Sequence, residues 1–497
     1  MIKVLSILVV AMLCMGVESS RSKPNFVIIM TDDQDIVLNG MTPMKKTQKL
    51  IAKQGITFTN AFTSSPICCP SRASFLTGAF AHNHRTTNNS AHGGCYGEFW
   101  RQLESFATFP TLLKANGYRN FYAGKYLNEF TAKSPVPAGY DAFFGLDGNS
   151  KYYDYKLNEN GVVKKYKREY LTDVLLQRAL SFIDDQTNST ENGPFMMIIA
   201  PPAAHAPFIA ADKYLDRFPD EKAPRTENFN KQSEDKHWLL TMPPTELSND
   251  TIEKIDEIYR KRWQTLLSVD DLVEGVVKSL DEKGFLKDTY VFYTSDNGYH
   301  LGQHGQAWDK RQPYETDIRV PLLVRGPNVP KKAVSNDLVA LLDIAPTLLE
   351  LSDAPSAGNV FDGVSFAASL NKNPKNPVKK RTKLLIEYWG EENDADFTPD
   401  CPWTAHDRLM GCEKAASCHC QDSWNNTYSC IRHIEEQHTD YLYCEFKDTE
   451  NFVEAYNLLE DPHEMTNIGY TEIPSIRAQY QLWIEDMKKC QGQNCVS

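Results

Sequence analysis

Residues 25–33 read Asn25-Phe26-Val27-Ile28-Ile29-Met30-Thr31-Asp32-Asp33, a short apolar run that ends on two carboxylates. Consecutive apolar positions over this length are the pattern of a strand buried on both faces, as in parallel sheets covered by helices. The aspartates behind it stand where open α/β sheets hold ligands, at the carboxyl ends of strands. The pattern returns at residues 290–294, followed by Ser295-Asp296-Asn297-Gly298. Strand-like runs also cover residues 121–123, 195–200 and 320–324, and helical periodicity covers 44–54, 110–116, 170–185 and 251–283. The alternation predicts an α/β fold: a large mixed, mostly parallel sheet with helices on both faces.

The N-terminus sets the compartment. Lys3 precedes an apolar run over residues 4–17, and Glu18-Ser19-Ser20 offers small residues for cleavage near Ser19, so residues 1–19 read as a signal peptide. The run is shorter than the roughly 18 to 20 apolar residues of a spanning helix, and no later segment approaches that length. The mature chain is expected to be lumenal or secreted, without a transmembrane segment. Sequons at Asn88-Asn89-Ser90, Asn188-Ser189-Thr190, Asn249-Asp250-Thr251 and Asn425-Asn426-Thr427 fit a glycoprotein.

Of twelve cysteines, Cys14 leaves with the signal and eight crowd into the last hundred residues, the composition of a disulfide-stapled region whose pairing the sequence leaves open. Cys418-His419-Cys420 also offers zinc ligands, but an oxidising compartment and the spacing favour disulfides. Cys69 and Cys95 remain in the N-terminal part, free to pair with each other.

The formal charge is −12, from 53 Lys and Arg against 65 Asp and Glu. That sign argues against nucleic acid as a partner, and an anionic substrate has to be recognised locally. After signal removal roughly 478 residues remain, more than one core usually accommodates. The polar stretch 371–383, with Pro374, Pro377 and several lysines, marks a boundary between an N-terminal domain, 20–375, and a smaller cysteine-rich domain, 376–497, with a helix-like segment at 479–487. Its basic run reads as a solvated linker, with contact to an acidic glycan as the alternative.

Residues 68–78 read Cys68-Cys69-Pro70-Ser71-Arg72-Ala73-Ser74-Phe75-Leu76-Thr77-Gly78. The pattern C-x-P-S-R-x-x-x-L-T-G resembles the signature of the type I sulfatases. In that family the first cysteine is converted to formylglycine (3-oxoalanine) by the formylglycine-generating enzyme, so the resemblance implies that Cys68 becomes the nucleophile. A hydrated aldehyde carries two geminal hydroxyls, one to attack sulfur and one to expel sulfate afterwards. Arg72, one helical turn on, supplies a permanent positive charge.

Asp32, Asp33, Asp296 and Asn297 make a hard, oxygen-rich donor set, suited to Ca²⁺ or Mg²⁺. The resemblance implies one Ca²⁺ on these four residues, joined by the modified Cys68. Asp35 is assigned to the surface or to a supporting position. A sulfate ester under attack requires fixed cations and a proton donor around the leaving oxygen. Lys125 in Gly124-Lys125-Tyr126 matches the family's G-K-Y/W motif, His205 in His205-Ala206-Pro207 its H-x-P histidine, and Lys310 in Asp309-Lys310-Arg311 its distal lysine. Arg72, Lys125, His205 and Lys310 are therefore the implied catalytic cations, with His205 and Lys310 both candidates for the general acid. His82 and His84 are candidates for a sugar pocket or a structural role, and His300 and His304 are weaker.

Flanking segments narrow the resemblance to the N-acetylglucosamine-6-sulfatase branch: the doubled Cys68-Cys69, His82-Asn83-His84, Gly124-Lys125-Tyr126-Leu127-Asn128, Arg319-Val320-Pro321 and the ending Asp461-Pro462-His463-Glu464. Residues 304–308 depart from it. The resemblance implies an alkaline-phosphatase-like domain plus a smaller α+β domain with an antiparallel sheet. It further implies removal of 6-O-sulfate from N-acetylglucosamine in heparan and keratan sulfate, in the lysosomal lumen or outside the cell. The alternatives are an extracellular heparan sulfate 6-O-endosulfatase, an arylsulfatase, a phosphodiesterase of the superfamily and an inactive glycan-binding relative. The oligomeric state is open, a homodimer included.

Overall fold

The apolar run at residues 25–30 forms β1 (Asn25–Thr31), every residue of which is buried. A computed structural model describes residues 23–188, 193–232, 234–244, 246–354, 361–371, 380–391, 400–403, 408–435 and 438–496. The expected signal peptide and residues 372–379 of the boundary segment lie outside the described residues. β1 belongs to a ten-stranded sheet with β2 (Ile56–Phe62), β3 (Arg119–Gly124), β4 (Ala142–Leu146), β5 (Tyr155–Glu159), β6 (Val162–Tyr166), β7 (Phe195–Ala200), β8 (Thr289–Ser295), β9 (Leu322–Arg325) and β10 (Ala333–Ala340). Their order is β10-β2-β9-β8-β1-β7-β3-β4-β5-β6.

The five strands β8-β1-β7-β3-β4 are parallel, and this block carries the site. Successive side chains of a strand point to opposite faces. Phe26, Ile28 and Met30 accordingly enter one core and Val27 and Ile29 the other. One face is covered by α1 (Cys68–Thr77) with the helices Phe109–Ala115 and Ile344–Leu351. The other is covered by α2 (Leu171–Asn188) and α3 (Asn249–Glu282), which pack on each other. Ser248 caps α3 by accepting the Thr251 amide at 3.2 Å, a bond worth about 1 kcal/mol.

The mixed, mostly parallel sheet matches the expectation from sequence, with local differences. The run at residues 320–324 yields β9, antiparallel to both β8 and β2, because an apolar run reports burial and not direction. The helix expected over 44–54 breaks into Lys45–Leu50 and a 3₁₀ turn, Ala52–Gln54. The hairpin β5–β6 went unread because its outer strand is exposed and carries Lys164 and Lys165, the polar edge that stops a sheet pairing further.

Beyond residue 380 a second sheet, β11 (Lys383–Tyr388), β12 (Tyr428–Glu435), β13 (Thr439–Phe446) and β14 (Val453–Asn457), is antiparallel throughout and packs against α4 (Pro474–Met487). Its core continues into Phe62, Ile67, Phe80, Tyr314 and Ile318, residues that flank the site segments. The ten expected cysteines pair as Cys69–Cys95, Cys401–Cys418, Cys412–Cys420, Cys430–Cys444 and Cys490–Cys495. Cys418 and Cys420 thus belong to separate disulfides, which removes the zinc alternative.

Candidate active site

α1 starts at Cys68, directly after the extended residue Ile67, and all ten of its residues are buried. Gly78 ends it at φ +64, and a Cβ there would lie 2.5 Å from Phe361 Cδ1, so glycine is the residue that fits. Arg72, fully inside, donates from Nε to Asp296 Oδ2 at 2.8 Å and from Nη1 to Lys125 O at 2.8 Å. Its Nη2 stands 3.4 Å from Asp32 Oδ1 without a hydrogen bond.

The loops after β1 and β8 meet because the two strands are parallel neighbours. Asp33 adopts φ +61, an unusual conformation for a side-chain-bearing residue, and donates its amide to Asp296 Oδ1 at 3.0 Å. Lys125 follows β3, where Gly124 sits at φ +115 with no room for a Cβ, which would fall 2.0 Å from Ala200 O. Lys125 Nζ donates to Asp32 Oδ1 and Oδ2 at 3.0 and 2.8 Å. Lys310 Nζ donates to Asp33 Oδ2 at 2.7 Å, and His205 Nε2 lies 3.7 Å from the same oxygen. His205 Nδ1 is 2.7 Å from Ala206 O, which assigns its proton to Nδ1 and leaves Nε2 for the site. Cys68 Sγ sits 3.6 Å from Asp32 Oδ1 and 4.0 Å from Asp33 Oδ1.

The nine residues assigned from sequence to catalysis or metal binding therefore converge on one buried centre. Asp32, Asp33, Cys68 and His205 form a potential ligand cluster, with one ligand atom from each lying within 4.8 Å of the others. Asp296 and Asn297 adjoin it, Asn297 Nδ2 donating to Asp33 Oδ1 at 2.8 Å while its Oδ1 is buried without a partner.

The electrostatics follow from the packing. Burial opposes ionisation of Asp32, but Lys125, His205 and Arg72 outweigh it and hold the carboxyl well below its ordinary range. Asp33 is lowered in the same way, chiefly by Lys310 against burial. Asp296, pressed by burial and by Asp32 despite Arg72, is pushed up to about 7. Burial also pushes the Cys68 thiol up to about 12.

Sequence reading missed Ser150, whose hydroxyl donates to Asp32 Oδ2 from the turn after β4. The available signal was its place behind a further strand of the same sheet. Asp35 is buried, not on the surface: it accepts the Leu38 and Gly40 amides and pairs with Arg262 at 2.7 Å, and Arg262 also holds Asp33 O. His82 and His84 take structural roles. His82 bonds Glu387 and Cys490 O, and buried His84 bonds Ser74 Oγ at 2.9 Å.

A sulfatase family model matches residues 24–354. The N-acetylglucosamine-6-sulfatase of Homo sapiens is 44% identical over 490 residues, covering 97% of this chain and 87% of that protein. The chain is a member of the sulfatase family. This sulfatase is also 43% identical over 495 residues to the N-acetylglucosamine-6-sulfatase of Capra hircus, with 97% and 87% covered. The putative extracellular sulfatase Sulf-1 homolog of Caenorhabditis elegans is 34% identical over 490 residues, with 89% of this chain and 68% of that protein covered. Among solved structures, a protein in complex with its substrate D-glucosamine-2-N,6-O-disulfate superposes with TM-score 0.74 at 23% identity, covering 96% of this sulfatase and 98% of that chain. A phosphonate monoester hydrolase of Agrobacterium radiobacter gives 0.66 at 17%, covering 94% and 96%. The expected alkaline-phosphatase-like sulfatase fold is the one found, and it hosts more than one reaction, so specificity resides in the site. Among the described residues no helix is long and apolar enough to cross a membrane.

Proposed function

We propose that this sulfatase removes the 6-O-sulfate of N-acetylglucosamine residues in heparan and keratan sulfate, with residue 68 carried as formylglycine and one Ca²⁺ bound beside it. The observation that carries the reading is the convergence on Cys68 of Arg72, Lys125, His205 and Lys310, in a chain 44% identical over nearly its whole length to an N-acetylglucosamine-6-sulfatase.

The residues fit both groups. Three carboxylates and the orphaned Asn297 Oδ1 make the donor set of a hard cation, with Asp32, Asp33, Asp296 and Asn297 as its holders. A thiol is a soft partner for such an ion, whereas an oxygen at position 68 suits it. When bound, Ca²⁺ would polarise the sulfate ester. As formylglycine hydrate, residue 68 would supply one hydroxyl to displace the sugar oxygen from sulfur and a second whose deprotonation re-forms the aldehyde and releases sulfate.

The chain's own side chains do the rest. Arg72 Nη2 has no hydrogen-bond partner and provides fixed charge for a sulfate oxygen. Lys125 and Lys310 neutralise charge that shifts onto the leaving oxygen as the S–O bond breaks. His205 Nε2 or Lys310 Nζ gives the proton that lets the sugar depart as an alcohol. Burial drives His205 toward its neutral form against the pull of Asp33, so Nε2 has a proton to give only after taking one up. At Lys310 burial is outweighed by Asp33, which keeps the amine in its proton-bearing form. The enzyme is assigned to the lysosomal lumen or to the outside of the cell, after meeting the formylglycine-generating enzyme.

Protein from secretory cells, digested and analysed by mass spectrometry at the peptide bearing residue 68, is expected to carry the aldehyde. The intact protein is expected to release sulfate from a 6-sulfated N-acetylglucosamine terminus. An unmodified thiol in active enzyme overturns the nucleophile, and absence of sulfate release from that terminus overturns the substrate.

A further inference from the structure

Glu391 follows β11, far in sequence from the signature helix, yet its carboxylate bridges two active-site loops. One oxygen accepts the Asn89 amide at 2.9 Å and the other accepts Arg311 Nε at 3.1 Å. Each loop leads straight into the machinery. Asn89 Oδ1 accepts the amide of Cys69, the residue after the nucleophile, at 2.9 Å, and the Cys69–Cys95 disulfide ties the same loop to α1. Arg311 adjoins Lys310, whose Nζ reaches Asp33.

The Lys310 segment has little structure of its own to hold it. Trp308–Asp309 makes a two-residue ladder with His300–Leu301, and Arg311 sits at φ +95, in the left-handed region that its side chain disfavours. Such a conformation persists only where the surroundings impose it. The Glu391 pair does so from the side, alongside Asp309, which accepts from Arg311 Nη1 within the segment, and Tyr428 from β12 bonds Arg311 O at 2.9 Å. Glu391 is itself fixed: its amide donates to Asp422 Oδ2 at 2.9 Å, and fully buried Asp422 also accepts Tyr388 Oη and Asn426 Nδ2. Glu391 as a residue is 5% exposed, so its two bonds face little competition from water.

We infer that Glu391 is a positioning residue: through Asn89 on one side and Arg311 on the other it sets the separation between the nucleophile and Lys310. The inference rests on the assignment of residue 68 and Lys310 to the chemistry. A small error in that separation falls on the turnover step, since displacement of a reacting group by about 1 Å costs on the order of a hundredfold. Glutamine at 391 retains an acceptor for Asn89 and loses the charge that ties Arg311 to the second sheet, whereas alanine loses both; Asp309 stays paired with Arg311 in either variant.

The test uses the full matured protein. Wild type, Glu391→Gln and Glu391→Ala are compared for kcat and KM on N-acetylglucosamine 6-sulfate, each normalised to the fraction carrying aldehyde at residue 68 and to the folded fraction. The expected result is a kcat loss of roughly tenfold or more for alanine, a smaller loss for glutamine, and KM within about threefold of wild type. Unchanged normalised kcat in both variants overturns the inference, as does a loss confined to KM or a glutamine variant no better than alanine. Should alanine fail to fold, glutamine alone decides, by a drop in kcat at constant KM or none. Wild type without aldehyde or without sulfate release would instead refute the assignment on which the inference rests.

Discussion

Two buried clusters of charge lie on either side of the segment that follows Lys310, and they are built to opposite ends. In the site, Arg72, Lys125 and Lys310 crowd round Asp32, Asp33 and Asp296, yet Arg72 Nη2 and Asn297 Oδ1 keep no hydrogen-bond partner. At the junction with the second sheet, Arg432 donates to Glu315 at 2.8 Å, reaches Asp440 and the carbonyls of His433 and Tyr441, and Arg319 holds the other Glu315 oxygen at 3.2 Å. The second cluster turns its charges on one another and fastens two sheets together. The first holds bonding capacity in reserve for something that arrives from outside. Buried charge alone is therefore no mark of function, and neither is an orphaned atom alone, since Asp440 Oδ1 at the junction also lacks a hydrogen-bond partner. What marks the site is the meeting of orphaned atoms with three carboxylates beside Cys68.

The contrast can be broken in four places. Cys68→Ser is expected to fold and to release no sulfate, since serine lacks the second oxygen that would expel sulfate; turnover in a sulfate-release assay would break the assignment. Lys310→Ala and Lys125→Ala are expected to lower kcat by about 10² to 10³, read per folded molecule because each also leaves a buried aspartate short of its cation. Arg432→Ala should act on stability instead: about 3–5 kcal/mol lost, because Glu315 stays buried with one of its two cationic partners removed, while sulfate release per folded molecule is retained. Denaturant titration and normalised kinetics separate these outcomes.

The smallest effect concerns pH. Burial lifts Glu104 to about 7, against the bonds from Tyr126 and Trp100. Between the ordinary glutamate range near 4.5 and pH 7 the folded chain holds a proton that the unfolded chain releases, so this group's contribution to stability is present at acid pH and fades as pH rises. His84 works oppositely. Burial lowers it to about 3, so between 6.5 and 3 the unfolded chain takes up a proton that the folded chain refuses, and stability falls as pH drops. Each group carries a slope of at most about 1.4 kcal/mol per pH unit. Melting Glu104→Gln beside wild type across pH 4.5–7.5 should show a shallower decline toward neutrality for the variant.

Part of the site was legible because it stands behind the strands of one sheet, whereas Cys68, Arg72 and Lys310 were legible through the family's motifs. Asp32, Lys125, His205 and Asp296 follow β1, β3, β7 and β8, four adjacent strands of the parallel block, so their meeting is a property of the sheet. Ser150 also follows a strand, β4, but a lone serine in Gly148-Asn149-Ser150 carries no chemical signature. Glu391 and Arg262 were illegible for a different reason, and Asp35 was legible only as a choice between the surface and the supporting position it takes. They act on backbone atoms or on neighbours of the reacting groups, through contacts between segments up to hundreds of residues apart, and local periodicity holds no record of such pairings. The direction of β9 was hidden likewise, since a strand buried on both faces reads alike in either sense.

Cys68 has no exposed surface, and the helix it begins is buried along its length. Another protein's active site cannot close round a side chain in that position. Any enzyme that alters Cys68 must therefore finish before β1, β8 and α1 come together, and a molecule that folds first is left with a sound scaffold and no means of repair. On the proposed formylglycine assignment, the yield of working enzyme would then be a race between two clocks, one for oxidation and one for folding, and stability could not compensate for losing it.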